Sequence, residues 1–209
     1  LTWPLNTRTG GTQDSYIYPE YTGYDNSPRR HATMVRRIDD GMGDIMQTLR
    51  DLGIDNNTLI AFTSDNGPHN EQGIAGNTSQ NPTNFDSYGH FEGIKRDMWE
   101  GGIRVPTFAW WPGTIGDNNQ HTDGFNSQRP SAFWDWMPTF AEAAGLTPPA
   151  WSNGTSLVSE LSENSTSFEK DYLYFEYQAG GNTPDYNQFP NHGGEARGQK
   201  QVIMMDGND

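Results

Sequence analysis

The chain of 209 residues carries 13 basic against 27 acidic side chains, a formal net charge of −14, with 32% hydrophobic and 12% aromatic residues. Such acidity excludes nucleic acid and anionic membrane surfaces as natural partners, and no run reaches the roughly 20 apolar residues of a membrane span. The absence of cysteine excludes disulfides and thiol chemistry within these residues, while seven tryptophans argue for a folded piece rather than a disordered one.

Residues 1–30 are rich in Gly, Thr, Asn, Tyr and Pro without periodicity and read as an irregular opening segment, with Arg29-Arg30 a solvated pair ahead of a helix. From His31 to Leu52, Met34, Val35, Ile38, Met42, Ile45, Leu49 and Leu52 recur at three- and four-residue steps. That spacing predicts an amphipathic helix capped by Gly53. Asp39 and Asp40 fall inside it and belong on its exposed face. Leu59 to Thr63 is a short apolar run, read as a buried strand, that stops at Ser64-Asp65-Asn66-Gly67-Pro68. Helix, short loop, strand and polar turn are the sequence form of an α/β layer, and such sheets place ligands beyond the carboxyl ends of their strands.

Residues 67–94 are long and polar without pattern, which suits a substrate-facing wall. A second apolar run from Thr107 to Trp111 stops at Pro112-Gly113. Ser131 to Ala144 reads as a helix begun or kinked near Pro138 and stopped by Gly145, with Phe133, Trp134, Met137 and Phe140 on a core-facing side. Tyr172 to Tyr177 alternates as a strand does, and Gln201 to Met205 has the composition of a last one. The organisation expected is an irregular segment over 1–30, an α/β part over 31–177 and a loop-rich part over 178–209.

Asp65 and Asn66 place a carboxylate and an amide oxygen side by side, the ligand types that hard divalent cations take. The same pair can instead bond its own backbone in a turn. Lys95 and Arg96 bring cationic groups to an acidic chain, just before Glu100-Gly101-Gly102-Ile103-Arg104-Val105-Pro106. Either cation could meet an oxyanion, and Arg96 could equally be a substrate contact, a surface residue or an ion-pair partner. His69 lies three residues past Asn66 and is a candidate proton donor. His90 is a candidate at the mouth of the site. Arg104 is expected in a buried ion pair, and Gly101-Gly102 in a tight backbone turn.

SDNGPH, then GIKRDMWEGGIRVP, then WWPG, in that order and with a strand before and after, resembles the sulfatase family of the alkaline-phosphatase-like superfamily, from about His31 to about Tyr177. The resemblance implies an α/β fold with a central sheet flanked by helices, incomplete at both ends of this chain. It implies that Asp65 and Asn66 are calcium ligands and that Lys95 contacts the sulfate. The implied nucleophile is a formylglycine made from a Cys or Ser in a C/S-x-P-x-R motif. No such motif occurs here, since Asn26-Ser27-Pro28-Arg29-Arg30 has the wrong spacing.

The chain therefore reads as the middle-to-late part of a calcium-dependent sulfuric-ester hydrolase, with the nucleophile in the remainder of the sulfatase chain and a sulfated small molecule or carbohydrate as substrate. A phosphodiesterase or phosphonate-ester hydrolase of the same superfamily, an inactive homologue, and a glycan-binding fragment are the alternatives. Four Asn-x-Ser/Thr sequons, at Asn56, Asn77, Asn153 and Asn164, are what a chain rich in Asn, Ser and Thr generates by chance, while low charge density, acidity and aromatic richness suit a secreted location, periplasmic or extracellular.

Overall fold

In the computed structural model, which describes residues 26–68, 82, 85–115, 124–163, 172–179 and 198–205, the expected first helix is α1, Asn26–Asp51. It begins earlier than periodicity predicted and takes in Arg29 and Arg30. Pro28 is its third residue, inside the first turn, where the missing N–H costs no intrahelical bond. Gly53 ends it as anticipated, with φ +66 and its N–H donated to the Arg50 carbonyl at 3.0 Å. Arg36 Nε donates to Asp40 Oδ1 at 3.1 Å across one exposed turn, so the Asp39-Asp40 pair lies on a solvated face.

Strand β1, Ile60–Thr63, pairs antiparallel with β2, Thr107–Trp110, in the register Ile60↔Trp110 to Thr63↔Thr107. Phe62 stacks on Phe108 with centroids 4.8 Å apart, and the Thr63 and Thr107 hydroxyls share a 2.9 Å hydrogen bond. The Arg50 guanidinium lies over the Trp110 ring at 5.4 Å, while Gly113 sits so close to the Asn56 backbone that a Cβ there would overlap its carbonyl oxygen. β1 is half-buried throughout, not the buried strand its apolar run suggested. The reason is topological: among the described residues the sheet has two strands, and a pair covers little of either face.

Between these strands runs a single helical turn, α2, Glu100–Ile103. Beyond β2, a 3₁₀ turn over Phe133–Asp135 leads into α3, Trp136–Ala143. Pro138 again stands third in its helix, marking a start rather than a kink. Gly145, at φ +70, stops the helix. Its aromatic side is not core: Phe133 is 51%, Met137 46% and Phe140 46% exposed.

The buried side is the polar one. The Asp135 carboxylate accepts the Ala132 N–H at 2.9 Å and the Thr155 N–H at 2.8 Å. The Thr139 hydroxyl donates to the Asp135 carbonyl at 2.6 Å and accepts the Leu157 N–H at 2.9 Å. Those bonds tie the loop before α4, Val158–Glu163, to α3 and decide which side turns inward. Buried polar groups need such partners, whereas apolar side chains can lie exposed at a smaller cost.

β3, Tyr172–Ala179, and β4, Gly198–Met205, pair antiparallel from Tyr172↔Met205 to Ala179↔Gly198, both longer than the sequence runs that announced them. Trp134 packs against Phe175 with centroids 5.3 Å apart. The chain divides into two compact units, one drawn from Leu1–Thr48, Asp65–Val105 and Gly180–Arg197, the other from Leu49–Ser64, Pro106–Ala179 and Gly198–Asp209.

Replacing Asp135 by Ala leaves two backbone N–H groups without their carboxylate. The expected loss is about 2–4 kcal/mol of stability, read as a lower midpoint in denaturant unfolding of the full protein; an unchanged midpoint would show the network to be dispensable.

Candidate functional site

The turn Asp65-Asn66-Gly67-Pro68 comes one residue after β1 in sequence and lies in the same compact unit as the segment from Phe91 to Val105. Two backbone bonds join them: Gly67 N–H donates to the Gly102 carbonyl at 2.9 Å, and Lys95 N–H donates to the Pro68 carbonyl at 2.7 Å. The approach is so close that a Cβ on Gly67 would overlap the Gly101 carbonyl oxygen. Gly101 in turn packs on the Glu92 and Gly93 carbonyls, donating its N–H to Glu92 at 2.6 Å. Gly101-Gly102, expected in a tight backbone turn, lies in the single helical turn α2 and allows close backbone approach there. Gly93 does need its freedom: φ is +96, and a side chain there would meet the Trp99 Cβ at 2.6 Å.

Lys95 and Arg96 form the apex of a turn closed by Ile94 and Asp97. Asp97 N–H donates to the Ile94 carbonyl at 2.9 Å, and Ile94 N–H donates back to Asp97 Oδ2 at 2.9 Å. Both flanking residues are sealed from solvent, Ile94 at 0% and Asp97 at 1% exposure, whereas Lys95 and Arg96 are half-exposed. Arg96 has φ +81, the value demanded at the third residue of a type II turn and ordinarily met by glycine. A side chain in that region costs roughly 1–2 kcal/mol.

Asp65 is exposed and Asn66 half-buried. Asn66 Nδ2 donates to the Gly67 carbonyl at 2.8 Å, a bond that employs the amide nitrogen and not the oxygen a cation would take. Both readings of this pair thus have a physical footing: a self-bonded turn, and two hard oxygen donors. Among the described residues no group of three or more His, Cys, Asp or Glu is placed to hold a metal. Two donors fit part of a calcium shell, which takes about six to eight oxygens.

The other sequence candidates are less concentrated. His90 is exposed with its ring 4.0 Å from that of Phe91, and His69 lies outside the described residues. Arg104 does form an ion pair, with Glu100 Oε1 at 2.8 Å, but an exposed one. Its guanidinium covers the Phe91 ring at 4.6 Å, and a cation held against an aromatic face keeps its solvent contact, so no burial is needed. Burial and then the Asp86 carboxylate raise the Tyr88 phenol above its ordinary value.

The sulfatase family model matches residues 6–146. The chain belongs to the sulfatase family. Human N-acetylgalactosamine-6-sulfatase is 37% identical to it over 121 residues, 58% of this chain and 20% of that protein. The steryl-sulfatase of Rattus norvegicus is 34% identical over 134 residues, 64% of this chain and 21% of that protein. This sulfatase chain thus spans about a fifth of the length of the curated relatives it matches.

In solved structures the fold is similar to that of PsFucS1 sulfatase from Pseudoalteromonas sp., with a TM-score of 0.57 at 23% identity over 91% of this chain and 37% of the other. It is also similar to that of BT4656, solved in complex with its substrate D-glucosamine-2-N,6-O-disulfate, with a TM-score of 0.52 at 20% identity over 85% of this chain and 30% of the other. The expected α/β class is thereby that of sulfatase structures.

Sequence reasoning overlooked Asp97. Its signal was an acidic residue three positions after a buried apolar one, the spacing at which a carboxylate caps a preceding N–H. Asp97→Ala strands the Ile94 N–H in a buried place and is expected to cost about 1–3 kcal/mol. Hydrogen exchange should then quicken at the Ile94 and Asp97 amides; protection equal to the wild type would remove Asp97 from its place as the clasp of the turn.

Proposed function

We propose that the full protein is a calcium-dependent sulfuric-ester hydrolase, with a formylglycine nucleophile supplied outside these residues. The observation that carries the reading is the Lys95 N–H bond to the Pro68 carbonyl at 2.7 Å, which registers a cationic turn against the turn bearing two oxygen donors. Family membership supports it, and so does charge: an anionic ester approaching a chain of net charge −14 needs a local reversal of sign.

Asp65 and Asn66 would hold calcium through a carboxylate and an amide oxygen, completed by ligands from elsewhere in the protein. Calcium bound there would neutralise the sulfate oxygens as charge shifts during S–O cleavage. Lys95 directs its ammonium at the same oxyanion, and an ammonium on a pinned turn needs little reorganisation when that charge develops. His69 is the proposed proton donor to the leaving alcohol, and His90 and Arg96 the proposed substrate contacts. The substrate class proposed is a sulfated carbohydrate, in keeping with the amino-sugar sulfatases among its relatives. A secreted location, periplasmic or extracellular, belongs to the proposal, in keeping with the low charge density and acidity of the chain; among the described residues no helix is long and apolar enough to cross a membrane.

Two substitutions in the full protein test the roles separately. Asp65→Ala removes a ligand, so calcium affinity measured by calorimetry should fall by about 100-fold or more, beyond the 10–100-fold that outer-shell changes cause; undiminished affinity would sink the metal assignment. Lys95→Ala should lower kcat on an aryl sulfate by roughly 10²–10³-fold with calcium affinity and melting temperature kept. Comparing aryl sulfate with aryl phosphate turnover decides against a phosphodiesterase, which would prefer the phosphate.

A further inference from the structure

Four side chains beside the candidate turn hold one another in place. Arg104 Nη1 donates to Glu100 Oε1 at 2.8 Å across α2, and the same guanidinium lies over the Phe91 ring at 4.6 Å. The His90 ring stands 4.0 Å from that ring, tilted by 42°. A turn fixes it there: Gly89 takes φ +56, and the Phe91 N–H donates to the Tyr88 carbonyl at 3.1 Å. An imidazole and a guanidinium are thus gathered on one aromatic ring, with a carboxylate bonded to the second of them.

Stability does not account for this arrangement. The Arg104 and Glu100 side chains are 51% and 44% exposed, and a solvated ion pair contributes little to a fold. Among the described residues the guanidinium makes no hydrogen bond beyond the one to Glu100, and neither imidazole nitrogen makes any. Planar groups with unspent donors, fixed before a ligand arrives, lose little freedom on binding. The backbone sets them next to the oxygen donors. Glu100 adjoins Gly101, whose carbonyl packs on Gly67, the neighbour of Asn66, and Phe91 adjoins Glu92, which accepts the Gly101 N–H at 2.6 Å.

Charge selects the class of ligand. Glu100 offsets the Arg104 cation and repels an oxyanion, so a sulfate or carboxylate gains little here. Two neighbouring hydroxyls fit better, one accepting from the guanidinium while the other donates to the carboxylate. A neutral imidazole adds one further donor and one acceptor. Adjacent hydroxyls on a rigid ring are the chemistry of an uncharged sugar. We propose, resting on the sulfatase reading above, that His90, Glu100 and Arg104, held by Phe91, form a subsite for an uncharged sugar joined to the sulfated one.

The test uses the full-length protein and four substrates. They are a sulfated hexosamine alone, the same unit with an uncharged hexose on its reducing or its non-reducing side, and the disaccharide with hexuronic acid in place of hexose. KM for one of the hexose disaccharides should lie below that of the monosaccharide by about ten-fold, the size of one hydrogen bond to a charged group. Arg104→Lys, which keeps the charge and gives up the planar fork, and His90→Ala should each abolish that ratio. Damage to the fold or to the chemistry acts on all the substrates alike and leaves the ratio where it was. Should Arg104→Lys not fold, His90→Ala at its exposed position decides alone.

Equal KM values for the monosaccharide and both hexose disaccharides, or a ratio retained in either folded variant, overturn the proposal and leave the sulfatase reading standing. Tighter binding of the hexuronic acid than of the hexose overturns it as well, since the subsite would then be one for anions. If the unaltered protein hydrolyses none of the four esters, the sulfatase reading fails and takes this inference with it.

Discussion

Backbone can lie directly on backbone only where side chains are absent, and that steric condition underlies the candidate site. Gly67, Gly93, Gly101 and Gly102 meet it together: a Cβ on any of them would collide with a neighbouring main chain or, at Gly93, with Trp99. With those positions bare, Gly67 reaches the Gly102 carbonyl and Lys95 reaches the Pro68 carbonyl. Remove the approach and the oxygen donors at Asp65 and Asn66 lose their register with Lys95. Four residues without chemistry of their own thus decide where the chemistry-bearing ones stand.

The second constraint is polar satisfaction. Asp97 and Asp135 are both sealed from solvent, and each carboxylate accepts a backbone N–H three residues upstream, from Ile94 and from Ala132. The same local device closes the cationic turn in one compact unit and the approach to α3 in the other. A buried carboxylate with charge-assisted bonds is a stronger fastening than a surface ion pair such as Arg36–Asp40, whose worth is a few tenths of a kcal/mol.

Much of the fold was legible because hydrophobic period and turn chemistry agreed. The α1 stripe, the Gly53 and Gly145 stops and the apolar runs of β1 and β2 each carried two concordant signals. The misreadings have separate physical causes. The aromatic side of α3 was assigned to the core on hydrophobicity, yet Asp135 and Thr139 occupy the interior because their hydrogen bonds turn that side inward. Arg104 was expected in a buried ion pair, whereas its pair with Glu100 is exposed and its guanidinium lies on the Phe91 ring. At the site, the motif residues could be named from sequence, but not the left-handed Arg96 or the Asp97 clasp. A type II turn announces itself through glycine at its third position, and here arginine conceals it.

The bonds that join the end of β1 to the start of β2 have a consequence for how such a protein diversifies. Ser64 N–H meets the Pro106 carbonyl at 3.2 Å, and the Thr63 and Thr107 hydroxyls meet beside it, so the chain between leaves and returns through one fastened point. The entropy of closing such a loop grows only with the logarithm of its length, about 0.6 kcal/mol for each doubling. Insertions between Pro68 and Glu92 would therefore be tolerated cheaply, while the glycine contacts and the Ile94–Asp97 turn stay where they are. Length can vary there while the fastened point stays as it is.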